Sequence, residues 1–362
     1  MKALFLSAIL ALGPTFAFAD LKPKVVSTHA AIVHRTYSNA LAAAKSYQLA
    51  VDAFLASPSE DTLAAAKKAW VDSRPPYLLT ETYRFCEGPI DDEDGPEALM
   101  NAWPMDETYI DTIIEDSATY PELSAELLIS LNEKEGETNI STGFHAAEYL
   151  LWGADTFADS PGKRPATDFT DGEHGDRRKQ YLKVVTDLLI QHLEQMVSEW
   201  APEQSDNYRA WFEENPTDAM ERILTGMAMM SAFELAGERL YVALETQDQE
   251  DEHSCFSDTT DQDCIYDALG IVNIWKGSYD TIDGHGLDDL ATELDPELAG
   301  ELDAAIVASY ELAKNIPSPF DQAILSPEGQ AAIEAMAQSC ETQGSLLVSL
   351  GKLMDYRIPI SE

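Results

Sequence analysis

His145 and Glu148 stand at i and i+3 within Ser141–Gly153, STGFHAAEYLLWG, so a helix there sends both side chains out of one face of one turn. An imidazole beside a carboxylate can hold a transition metal or serve as an acid/base pair. The neighbours Phe144, Ala146, Ala147, Leu150 and Leu151 are apolar, which places the turn in packed surroundings where an unpartnered His or Glu is costly. The plainer reading of the same spacing is a His–Glu hydrogen bond that closes a core.

Two further stretches carry groups that can do chemistry. Trp70 to Asp91 holds Arg74-Pro-Pro-Tyr77, Thr80-Glu81, Arg84-Phe85 and Gly88-Pro89-Ile90-Asp91. Arg74, Glu81 and Arg84 fall roughly on one side of a helix, where an arginine fork can hold Glu81 in place; a purely structural ion-pair network fits equally well. Glu250-Asp-Glu252-His253-Ser-Cys255-Phe-Ser-Asp258 is dense in oxygen and imidazole donors, and composition alone is equally compatible with a solvated acidic loop.

The elements that must position these groups read as helices. Apolar residues recur at helical spacing over Val25–Leu55, and Ser57-Pro58 ends that helix. The next runs from about Glu60 to Phe85, with a kink or break expected after Arg74 because Pro75 and Pro76 remove backbone donors. Further helices are expected over Arg177–Trp200, Asp218–Glu245, Asp263–Trp275, Pro296–Asn315 and Pro327–Met354. Gly153–Gly175 is rich in Pro, Gly and Asp and reads as a loop. His29 and His34 read as packing or surface histidines, and Met227, Met229 and Met230 as core filler. No run of alternating strands and no short-period repeat is evident, so the fold class is all-α. The best boundary lies between Ala201-Pro202 and Asn215-Pro216. It divides the chain into residues 20–205 and 206–362, two helical-bundle halves.

Met1–Ala19 has the features of a secretory signal: Lys2, the apolar Ala3–Leu12, and Ala17-Phe18-Ala19 ahead of Asp20. That predicts an exported protein, periplasmic if the cell is a Gram-negative bacterium. No stretch is long and apolar enough to span a bilayer. The 362 residues carry 65 acidic against 23 basic side chains, a net charge of −42. Such an excess repels nucleic acid, anionic lipid and acidic polysaccharide, and attracts cations without selecting one. Four cysteines in an exported chain suggest disulfides; Cys255 and Cys264 are close enough in sequence to close a small loop, leaving Cys86 and Cys340.

Together these stretches resemble the imelysin family, most closely its iron-regulated periplasmic branch. Gly143-Phe-His145-Ala-Ala-Glu148 matches the family's G-x-H-x-x-E. The Arg74–Asp91 stretch and the Glu250–Asp258 stretch, followed by Gly277-Ser-Tyr279, match in the expected order across most of the chain. One departure is Asp261, which stands where the pattern leads one to expect a histidine. The resemblance implies two bundle-like halves with a site between them, a role in iron acquisition, and G-x-H-x-x-E at the metal or functional site.

The first expectation is therefore a binding protein that handles iron, with zinc as the alternative ion. His145 and Glu148 supply ligands, Glu81, Glu252 and His253 are candidates to complete an N/O site, and Arg74 or Arg84 orients the carboxylates. Its partner is a metal ion or small iron complex, together with an envelope iron-transport component. The second expectation is a metal-dependent periplasmic peptidase, with Ser141 and Ser254 as nucleophiles on paper. It lacks H-E-x-x-H, in which two His ligands and a Glu base share one helical face.

Overall fold

The computed structural model describes residues 14–157, 159–170 and 174–360, with side chains from residue 21 onward. The leader expected over residues 1–19 lies outside the described residues as far as residue 13, and outside the described side chains throughout. Among the described residues the chain is predominantly helical. Its one sheet is a two-residue antiparallel ladder, Ser278–Tyr279 against Ile282–Asp283, in the glycine-rich turn before Leu287.

Helix Pro14–Ala56 is the spine, and it packs along Glu60–Leu78 and Gly175–Glu199. The alternating small and large residues Ala40, Ala44, Tyr47, Val51 and Phe54 line its inner face and are buried. Leu49 belongs to the same apolar series by sequence but points to solvent. Ser59 starts the second helix with a reciprocal capping box with Thr62. That helix does not break after Arg74; it continues through Pro75 and Pro76 to Leu78. Each imide removes only the bond to the carbonyl four residues back, and burial of Trp70, Tyr77 and Leu78 on one side outweighs that loss. A short 3-10 turn, Glu81–Tyr83, then carries Glu81 into the core.

The helix expected over Asp218–Glu245 is continuous but changes pitch. Pro216–Met229 is α-helical, Met230–Tyr241 is a wide π-type helix, and Val242–Thr246 returns to α. Met227, Met229 and Met230 are buried in it as core filler. Pro327–Leu353 packs along the wide segment and along Pro296–Ala313, which in turn meets Thr260–Lys276. One hydrophobic cluster includes residues from all these helices. It is continuous across residue 205, where Trp200 packs edge-on against Tyr208 and Phe212 with ring centroids 5.1 and 5.2 Å apart.

Candidate functional site

The G-x-H-x-x-E segment forms helix Gly143–Trp152, every residue of which is buried. Gly143 has a φ of +91°, and a Cβ there would lie 2.7 Å from the carbonyl oxygen of Met100, so only glycine fits. Thr142 occupies the N-cap position without a side-chain cap. The entry is instead held by Asn132, whose Oδ1 accepts from the Ser141 amide at 2.9 Å and the Thr142 amide at 3.3 Å. Trp70 Nε1 donates to the Phe144 carbonyl at 3.1 Å, and Tyr181 donates to the Ser141 carbonyl at 2.9 Å. Neighbouring elements therefore fix the backbone that presents His145.

His145 Nδ1 and Glu148 Oε2 are 2.9 Å apart, with both residues at 1% exposure or less. Glu148 Oε1 accepts from the Ser257 amide at 2.9 Å and the Ser257 hydroxyl at 2.6 Å. Both carboxyl oxygens are thus occupied, while His145 Nε2 is buried and has no partner. Burial, helped by His253 and Arg74 nearby, holds His145 well below its ordinary pKa. Burial also pushes the Glu148 carboxyl up to about 8 against the opposing pull of the Ser257 hydroxyl.

His253 repeats this arrangement beside it. The two imidazole centroids are 4.6 Å apart at 70°. His253 Nδ1 meets Asp263 Oδ2 at 2.6 Å, and Ser254 donates to the same oxygen at 2.5 Å. Its Nε2 faces the Asn101 amide nitrogen at 3.4 Å, a weak contact. Burial, then Arg239 and Arg74, keep His253 well below its ordinary pKa. Each histidine is therefore neutral and backed on Nδ1 by a carboxyl group, the outer-shell arrangement that orients imidazole for a metal. Arg74, 2% exposed, donates from Nη1 to Asn101 Oδ1 at 2.7 Å and lies 3.6 Å from Asp263 Oδ2 through Nη2.

The other expected ligands sit elsewhere. Glu81 belongs to an adjacent ion-pair network, 2.6 Å from Arg239 and 2.8 Å from Arg84. Burial opposes its ionisation, but the two guanidiniums outweigh that and hold it at about 2. Arg84 is thus a partner of Glu81, Glu97 and Glu234, not of Glu148. Glu252 is buried, and burial together with Asp321 raises its carboxyl well above the usual range. Its Oε1 has no partner, while its backbone carbonyl accepts from Trp103 Nε1 at 2.6 Å. Asp261, in the place of the expected histidine, is hydrogen-bonded to its neighbour Gln262. Among the described residues no three His, Cys, Asp or Glu side chains form a ligand group for a metal ion. Among the described residues the centre offers two backed imidazoles.

The expected disulfide is not formed, and Cys86, Cys255, Cys264 and Cys340 are all free thiols. Thr260 begins a helix between the two nearest cysteines. Both thiols are buried, and nearby carboxylates, those of Asp267 and Asp263 for Cys264 and of Glu148, Glu250 and Glu252 for Cys255, add to burial in raising their pKa. The two serines considered as nucleophiles are also committed: Ser141 Oγ donates to the Leu128 carbonyl at 2.7 Å, and Ser254 Oγ to Asp263. Of the groups that shape the site, sequence reading misses Asn101, Asp263, Ser257, Asn132 and Arg239. Ser257 and Asp263 stand in or beside the donor-dense stretch; the other three carry no local signal.

A cleft of about 170 Å³ reaches this centre from outside. Asn101, His253 and Trp103 line its inner part, and Glu97, Glu133, Glu234 and Glu238 line it together with Arg84. Burial and the neighbouring Glu81 and Glu234 carboxylates leave Glu97 at about 7 despite the pull of Arg84.

Residues 33–347 match the model of the imelysin family. The chain is 26% identical over 330 residues to iron-regulated protein A of Synechococcus elongatus, covering 86% of this chain and 82% of that protein. A crystal structure from Parabacteroides distasonis, described as an iron-regulated protein A precursor, superposes with a TM-score of 0.77 at 21% identity. It covers 96% of this chain and 98% of its own. An imelysin-like protein from Psychrobacter arcticum superposes with a TM-score of 0.67 at 13% identity, over 94% and 98% of the two chains.

Proposed function

We propose that this chain, which belongs to the imelysin family, is an exported iron-handling protein that binds iron or a small iron complex without turnover. The name of its Synechococcus relative supports an iron-related role. The composition of residues 1–19 supports export, and among the described residues no helix is long and apolar enough to cross a membrane. The observation that carries the reading is the pair of carboxyl-backed imidazoles in ring contact, His145 with Glu148 and His253 with Asp263, the second of which lines a glutamate-rich cleft. Mixed nitrogen and oxygen chemistry of this kind suits iron or zinc better than copper(I). Glutamates at the cleft concentrate cations, and the histidines then select among them.

A peptidase would need a ligand set with an open position and a separate base to activate water. Glu148 is already hydrogen-bonded through both oxygens, which leaves it poorly placed for that second duty. The test is iron and zinc binding by the full chain, by His145→Ala and by Glu148→Ala, at low and high salt. Loss of a ligand or of the group that orients it should weaken binding by roughly 10–100-fold or more, whereas diffuse attraction to the acidic surface fades with salt in all three alike. Equal affinities would reject the site. Metal-dependent cleavage of a peptide, lost in both variants, would favour the peptidase.

A further inference from the structure

We propose that the buried edge of Arg74 seats a carboxylate group of the ligand, so that iron arrives as a small carboxylate chelate and not as a bare ion. This rests on the reading of the chain as an iron-handling protein and names the class of complex it takes. Nε and Nη2 of Arg74 are both buried and unpartnered, although Nη1 is bonded to Asn101. These two nitrogens form one edge of the guanidinium, the edge that grips a carboxylate through two parallel hydrogen bonds. Leaving a charged group at 2% exposure with an edge that makes no hydrogen bond, and only the 3.6 Å ion contact of Nη2 with Asp263, is unfavourable, which is the state expected of a seat awaiting its occupant.

The seat is rigid. The guanidinium lies over Phe144 at 4.8 Å, Trp70 at 5.5 Å and Tyr77 at 5.6 Å, so its orientation is set before anything binds. The nearest acid, Asp263, stands 3.6 Å from Nη2, beyond hydrogen-bond reach, and its Oδ2 already accepts from His253 and Ser254. Phe144, which Arg74 covers, precedes His145, whose Nε2 is another buried nitrogen without a hydrogen bond. Asn101 lines the cleft and also holds Arg74, so it connects the entrance to the seat.

Charge decides the form of the ligand. A free polycarboxylate is repelled by Glu97, Glu133, Glu234 and Glu238 along the cleft; a complex in which iron offsets those charges is not. A chelate also brings oxygen donors of its own, which answers the lack of three converging protein ligands among the described residues. One carboxylate then rests on Arg74 while imidazole nitrogen from His145 or His253 reaches the metal.

Equilibrium dialysis of the full chain against ferric citrate, with iron and citrate carrying different radiolabels, tests this. The wild type should retain both labels together. Arg74→Lys keeps the charge and loses the edge, and should hold citrate roughly tenfold less tightly or worse, the worth of one charged hydrogen bond. Equal retention of citrate by wild type and Arg74→Lys, at equal melting temperature, would overturn the seat. The wild type alone also decides the matter if the variant does not fold, because iron retained without citrate overturns the proposal and leaves iron handling intact. Citrate retained without iron would overturn the proposal that the ligand arrives as an iron chelate, and would remove the iron reading with it. Retention of neither label would overturn both.

Discussion

Arg239 Nε donates to Glu234 Oε1 at 2.8 Å although the two residues are five apart on one helix. In an α-helix i and i+5 diverge; the wide turn of Met230–Tyr241 brings them to one face. The same guanidinium reaches Asp267 through Nη1 and Glu81 through Nη2, both at 2.6 Å. Three acids from three separate elements thus meet on one arginine that is 1% exposed, close behind the histidine pair.

Replacing Arg239 by methionine should therefore cost about 3–5 kcal/mol, since Asp267 would be left buried without its counter-charge and Glu81 with Arg84 alone. Arg239→Lys should recover only part, because one ammonium cannot span three carboxylates. Urea unfolding of the three proteins measures both numbers. A loss under about 1 kcal/mol for the methionine variant would mean that water reaches the network and screens it.

That hub also shows how far the sequence can be read. Helical periodicity comes from burial on one face, so the helix positions and the all-α class are visible in the spacing of apolar residues. His145 and Glu148 are visible because their contact is local, three residues apart on one turn. His253 is visible as part of a donor-dense stretch. The rest depends on contacts that cross the chain: Asn101 with Arg74, Asp263 with His253, Ser257 with Glu148, and Arg239 with Glu81. The sequence alone ties Glu81 to Arg84, a neighbour the fold keeps at 2.8 Å, but nothing near it announces a second arginine 158 positions away. The change of pitch at Met230 is not announced either, because the buried Met230, Leu235 and Leu240, five apart, are too short a run to stand out from ordinary helical spacing.

His29 gives a pH dependence outside the site. It is stacked on Phe212 with centroids 5.5 Å apart, its Nδ1 is buried and unpartnered, and burial lowers its pKa to about 3. The unfolded chain takes up that proton near pH 6.5, while the folded chain refuses it until about 3. Stability is therefore lost as pH falls through this window, by up to roughly 1.4 kcal/mol for each pH unit, and levels off below it. His29→Phe should flatten this component. Comparing urea midpoints of the two proteins at pH 7 and pH 4.5 checks it; parallel losses would show that His29 is already protonated in the fold.

The thiols offer a chemical check. All four should react with an alkylating agent under nonreducing conditions once the protein is unfolded. In the native state Cys255 and Cys264 should react slowly, because burial raises both thiols well above their usual pKa and only the thiolate is nucleophilic. Recovery of a Cys255–Cys264 cross-linked peptide would contradict the arrangement in which the Thr260–Lys276 helix turns Cys264 inward.

Glu148 links stability to binding with opposite signs. Its carboxyl is pushed up to about 8 by burial, so between pH 4.5 and 8 the folded protein keeps a proton that the unfolded chain has lost. The stabilisation this gives is complete below pH 4.5 and disappears as pH rises through 8. Glu148→Gln carries a permanent donor for His145 Nδ1 and an acceptor for Ser257, and it has nothing to titrate. Near pH 5 the two proteins should melt together. At pH 8.5 the variant should be more stable by about one to a few kcal/mol, because holding a buried carboxylate ionised costs roughly 1.4 kcal/mol for every tenfold by which folding weakens its acidity. Iron binding should move the other way and weaken by roughly 10–100-fold, because a neutral amide no longer draws the Nδ1 proton or makes Nε2 a better donor atom. Thermal unfolding across this pH range and iron titration at pH 8.5, where the carboxyl is ionised, measure the two effects. A variant that gains stability at high pH and binds iron as well as the wild type would reduce the His145–Glu148 pair to a structural hydrogen bond.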